Sequence, residues 1–155
     1  MKLYTPSKII NQFYDHVGRL QIADLVKEGI IKPTQEADRR GEAHLYDKRQ
    51  VLLIGLAIAM RDILTRNFTR RTIKRVDKYL REMERGKRPK WDIMVIHYSL
   101  KKGEAEWLTY SYREMAAKPF REGYDQGKTK FTDPRQYRTV CLNVSDLIKY
   151  IDEHE

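Results

Sequence analysis

The sequence predicts an α+β fold: a mainly helical N-terminal half followed by a small α+β unit with an antiparallel sheet. Three observations carry this. Apolar residues recur at three- and four-residue intervals up to about residue 85, then at every second residue beyond 91. Gly86-Lys87-Arg88-Pro89-Lys90 joins a helix stop to a charged, proline-containing stretch, dividing the chain into 1–86 and 91–155. With 155 residues, 41% apolar and 34% charged, the chain can bury one core, or one small helical domain plus a second small unit.

Thr5-Pro6 starts the first helix, since Thr5 can cap and Pro6 suits the first helical position. It runs to about Tyr14 with Ile9, Ile10 and Phe13 inward. His16-Val17-Gly18 turns the chain into a second helix, Arg19 to Glu28, which buries Ile22, Leu25 and Val26 and stops at Gly29. Ile30-Ile31 and Ala43-His44-Leu45-Tyr46 read as two short strands. The loop between them holds Pro33, Asp38, Arg39, Arg40 and Gly41.

Asp47 caps a third helix reaching about Leu64. Apolar residues go most of the way round it, so it belongs at the centre of a domain or is shared with a second subunit. Thr69 caps a fourth helix to about Arg85, with Ile73, Val76, Leu80 and Met83 spaced 3, 4 and 3. Arg70, Arg71, Lys74, Arg75, Lys78 and Arg81 cover its other faces. Two heptads suit packing within the chain as well as the seam of a homodimer.

Beyond the boundary, Met94, Ile96, Tyr98 and Leu100 alternate on one strand, and Leu108, Tyr110 and Tyr112 on the next. Lys101 to Glu106, with Gly103, suits a hairpin connection. Arg113 to Lys118 reads as a helical turn, and 119–136 as a long loop. Val140, Leu142 and Val144 suggest a third strand, after which Ser145 caps a last helix packing Leu147, Ile148 and Ile151. Trp91, Tyr98, Trp107, Tyr110 and Tyr112 read as core-filling aromatics rather than as a base-stacking platform, because the three tyrosines fall on the apolar face.

The net charge is +9, and it is concentrated: residues 61–90 carry 12 basic and 4 acidic side chains. A field of that kind attracts phosphates and other polyanions. No apolar run spans a bilayer; the longest, Val51 to Met60, is followed by Arg61 and Asp62. Met1 to Asn11 lacks a secretory apolar region, which predicts a cytoplasmic protein. Cys141 is the single cysteine, so no internal disulfide is expected, and it reads as a passive thiol. His16, His44, His97 and His154 show no metal-ligand spacing. No phosphate loop, nucleophile elbow or kinase-like signature is present, so neither catalysis, a cofactor nor a metal is expected.

Helix, turn, helix ending in Glu28-Gly29-Ile30-Ile31-Lys32-Pro33, a polar loop, Leu45-Tyr46-Asp47 and another helix form the outline of a winged helix-turn-helix. Residues 4 to about 80 resemble the N-terminal domain of MerR-type transcriptional regulators, with Phe68-Thr69-Arg70-Arg71-Thr72-Ile73 where that family begins its fourth helix. The resemblance implies a dimeric regulator that binds double-stranded DNA, with the second helix in the major groove and the wing on the backbone. Carried over, Arg19, Gln21 and Lys27 would make groove contacts, and Arg39, Arg40 and His44 would serve the wing. Arg70, Arg71, Lys74 and Arg75 would add a supporting basic surface.

Two positions that commonly hold arginine in the family hold Leu20 and Ala23 here, and the tyrosine pair is replaced by Asp24 and Leu25. Glu42-Ala43-His44 stands where the wing return is usually Gly-Tyr-Arg. These departures suit an alternative: MerR-like winged helices also occur in phage packaging and recombination-accessory proteins, which bind DNA by charge and shape. A protein-interaction module that has lost DNA binding is a further alternative. The sequence names no effector and assigns no role to the C-terminal unit.

Overall fold

The computed structural model describes residues 2–14, 17–61, 63–87, 91–99, 105–113 and 137–154. His16, Leu100, the turn after Arg113 and the 119–136 loop lie largely or wholly outside these residues, as do Arg88 to Lys90 and most of the Lys101–Glu106 connection. The protein is α+β, with helices in its N-terminal half, then a three-stranded antiparallel sheet and a C-terminal helix. The chain divides into two compact units, Met1–Arg88 with Ile148–Glu155, and Pro89–Leu147.

In the first unit, α1 covers Pro6–Phe13, α2 Arg19–Lys27, α3 Lys48–Arg61 and α4 Arg66–Glu84. Thr5 caps α1 by accepting the Lys8 N–H at 3.3 Å, and Asp47 caps α3 by accepting the Gln50 N–H at 2.8 Å. The α3 helix is the centre of this unit: Val51, Leu52, Leu53, Ile54, Leu56, Ala57 and Met60 are all buried. Ile73, Val76 and Leu80 of α4 are buried too, and α4 packs against α3, so the short seam is used within the chain. The α4 helix begins earlier than expected. Thr65 takes the cap position, and Thr69 is buried one turn inside, on the same inward stripe as Thr72, Ile73 and Val76.

Ile30-Ile31 is not a strand. The N–H of Ile30 donates to the Leu25 carbonyl at 2.9 Å, and that of Gly29, at φ +64°, to Val26 at 2.9 Å. This is a Schellman closure, which uses the apolar residue after the glycine to seal the helix end. Leu45 pairs instead with Gln35, and Tyr46 with Tyr4, both antiparallel. Tyr46 is buried, and burial pushes its hydroxyl up to about 12.

The second unit contains β1 (Ile93–Ser99), β2 (Ala105–Tyr110) and β3 (Tyr137–Asn143), in the order β2-β1-β3. The central strand departs from simple alternation: Met94, Val95, Ile96 and His97 are all buried. Tyr112 lies past the end of β2 and is 38% exposed, not on an apolar face. Helix α5 (Val144–Glu153) follows β3 directly. Its cap is Asn143, whose Oδ1 accepts the Asp146 N–H at 3.1 Å, while Ser145 is buried inside the first turn.

Candidate nucleic-acid interface

The expected site residues fall on three elements of the first unit: the outer face of α2, the wing, and α4. Helix α2 is fixed at both ends. At its start the Gln21 Oε1 accepts the Gly18 N–H at 2.9 Å, which is the glutamine half of a capping box; Gly18 has no side chain to supply the other half. Gln21, expected in the groove, therefore has its side-chain oxygen engaged in the cap. Ile22 and Leu25 face inward, leaving Arg19, Leu20, Gln21, Ala23 and Lys27 exposed. The Arg19 guanidinium also donates to Ser7 Oγ on α1.

At the other end, three arginines converge on Glu28. Arg66 pairs with its carboxylate at 2.9 Å and Arg61 at 3.6 Å, while the Arg70 guanidinium donates to its carbonyl. Cations here complement the negative end of the α2 dipole. Arg61 also lies 3.5 Å from Asp24, which offsets the one acidic charge toward the outer face. Arg70 is thus half-buried and committed to α2 rather than to an outward basic surface. Sequence reasoning missed this clamp. The arginines stand in plain view in the sequence, but their common partner lies more than thirty residues upstream.

The wing is a hairpin closed by reciprocal bonds between Gln35 and Leu45, at 3.1 and 2.9 Å. Its turn is Arg39-Arg40-Gly41-Glu42, with the Glu42 N–H donating to the Arg39 carbonyl at 3.1 Å and Gly41 at φ +97°. A positive φ at the third turn residue is what a glycine there permits without strain. Both arginines are exposed. His44 braces the hairpin from within, its Nδ1 accepting the Ala37 N–H at 3.0 Å, so the wing histidine is a structural group.

On α4, Arg71, Lys74 and Arg75 are exposed, and Lys78 and Arg81 extend the stripe. Arg71 lies over the Phe68 ring at 5.6 Å and Arg75 over Tyr79 at 5.7 Å, so aromatic faces hold these guanidinium groups along the helix. Acidic groups thin the lower part of the stripe, where Arg81 pairs with Asp77 at 3.0 Å and Lys78 lies 4.0 Å from Glu82.

The second unit offers a different polar cluster. The Tyr112 hydroxyl lies 2.8 Å from both Asn143 Oδ1 and Asp146 Oδ1, and the Tyr112 N–H donates to Asp92 at 2.9 Å. The hydrogen bond to Asp146 raises the phenol pKa, which disfavours its use as a base. Cys141 is exposed, and partial desolvation raises its thiol pKa, opposite to what a reactive thiolate needs. Among the described residues no group of three or more His, Cys, Asp or Glu is arranged to hold a metal ion, and no helix is long and apolar enough to cross a membrane. No protein-family model matches the chain, and no curated protein matches it in sequence.

Proposed function

We propose that this chain is a DNA-binding protein built on a MerR-like winged helix-turn-helix and acting as a transcriptional regulator. The wing carries the reading: a closed hairpin follows the helix-turn-helix and ends in a turn led by two exposed arginines. In this reading Arg39 and Arg40 pair with phosphates, Arg19 and Lys27 flank the inserted helix, and Arg71, Lys74 and Arg75 add backbone affinity. Arg70 acts indirectly, by holding α2 at its C-terminus.

One observation favours a second reading. The outward positions of α2 that could hold base-reading arginines hold Leu20 and Ala23. That suits a packaging or architectural protein which binds by charge and shape. Selection from a randomised duplex pool at moderate salt separates the two. Enrichment of one short, near-palindromic site supports a dimeric regulator; retention without enrichment, lost steeply as salt rises, supports the architectural protein. No retention at all overturns both.

A further inference from the structure

We propose that α2 reads DNA through the 5-methyl groups of thymine, with Leu20 and Ala23 as the specificity-determining residues. The inference rests on the DNA-binding reading above and names what the inserted helix recognises. Leu20 is 80% exposed, the most exposed large apolar side chain among the described residues. A lone exposed leucine is ordinary. This one has exposed Ala23 one helical turn further along, on a helix that turns Ile22 and Leu25 into the core and leaves Val26 half-buried.

The charges around the pair complete the argument. Arg19 stands at the start of α2 and Lys27 at its end, both exposed, while Asp24 is drawn toward Arg61. The outer face therefore sets the Leu20–Ala23 patch between two cationic ends, with the Gln21 oxygen engaged by the Gly18 N–H and the half-exposed Asp24 carboxylate 3.5 Å from Arg61. The major groove has the complementary pattern: phosphates along its walls and, on its floor, the thymine methyl as the one apolar feature that distinguishes base pairs. The wing arginines, on the next element of the chain, add further cations for the phosphate walls. Neither Leu20 nor Ala23 can pair with guanine as an arginine does, so recognition here is by apolar contact. The energy per methyl is modest, about fourfold in affinity for each one contacted.

The test is a competition on the full chain between two random 20-base-pair duplex pools, one made with thymidine and the other with deoxyuridine. Deoxyuridine keeps the pairing edge and the phosphates and removes only the methyl. The native protein should retain the thymidine pool several-fold in preference. Leu20→Ala, an exposed substitution that leaves the core untouched, should bring the two pools close to parity. Equal retention by the native protein overturns the inference while leaving DNA binding intact. A preference unchanged in Leu20→Ala removes Leu20 from the role. Failure to retain either pool overturns the inference together with the reading it rests on.

Discussion

The Tyr14 ring occupies the space that a side chain at Gly55 would need. A Cβ built on Gly55 would lie 2.6 Å from Tyr14 Cζ and 3.0 Å from Cε1, and the Tyr14 hydroxyl donates to the Val51 carbonyl at 3.1 Å. Glycine in the middle of α3 costs about 1 kcal/mol in helix propensity relative to alanine. Here it lets the segment after α1 close onto the central helix, and burial pushes the Tyr14 phenol pKa well up.

Gly55→Ala should therefore destabilise despite the better helix former. Overpacking of this kind costs about 1–3 kcal/mol, more than propensity returns. In a Tyr14→Leu background the ring is gone, and the same substitution should become neutral or stabilising. Urea denaturation of the four combinations checks this. A Gly55→Ala cost that is the same in both backgrounds would show that the ring is not what the glycine accommodates.

Arg70 and Lys74 are one helical turn apart and should behave differently. Arg70→Ala removes a charged donor from the end of α2 and should cost roughly 1–2 kcal/mol of stability. Lys74 is exposed, and its alanine variant should leave stability within about 0.5 kcal/mol. Under the proposed function the order reverses in one respect: only Lys74→Ala should flatten the salt dependence of duplex binding, by about one unit of slope. Equal flattening in both variants would return Arg70 to the contact surface.

The helices were legible because their ends are local events. Thr5-Pro6, Gly29 and Asp47 sit within four residues of the groups they satisfy, and each does the expected job. Misreadings arose where a residue's partner is set by three-dimensional context. Ile30-Ile31 has the composition of a strand, yet its N–H groups return to the Leu25 carbonyl. Thr69 has the chemistry of a cap but faces the core, since α4 starts a turn earlier. Val95 and His97 look like the outward set of an alternating strand, but β1 is the middle of three and is buried on both faces. For the candidate site, the wing-tip arginines could be read from Arg39-Arg40-Gly41, whereas the commitment of Arg70 to Glu28 could not.

The wing arginines should act as phosphate contacts if the proposed function holds. Arg39→Ala combined with Arg40→Ala should weaken binding to all duplexes alike and reduce the salt slope by about two units. Both side chains are exposed at a turn whose geometry depends on Gly41, so stability should hardly change. Fluorescence anisotropy over a salt series, on any random-sequence duplex, measures both quantities. An unaltered slope would exclude the wing from the interface.

The sheet of the second unit should weaken in mild acid because of His97. The residue is buried at the centre of β1, with Nδ1 2.9 Å from Thr139 Oγ1 on β3 and Glu106 opposite it on β2. Burial lowers its pKa below the usual 6.5, and the Glu106 charge only partly opposes this. Unfolded chain therefore takes up a proton near 6.5 that folded chain resists, so stability rises with pH in this window. The contribution is complete above 6.5 and is lost progressively as pH falls toward the lowered folded value, with a slope of at most about 1.4 kcal/mol per pH unit. Carboxylates elsewhere titrate too, so the informative quantity is the difference between native protein and His97→Gln, measured by urea denaturation from pH 7.5 to 5. The native protein should lose more stability than the variant over that range. Parallel profiles would mean that His97 is protonated as readily in the folded chain as in the unfolded one.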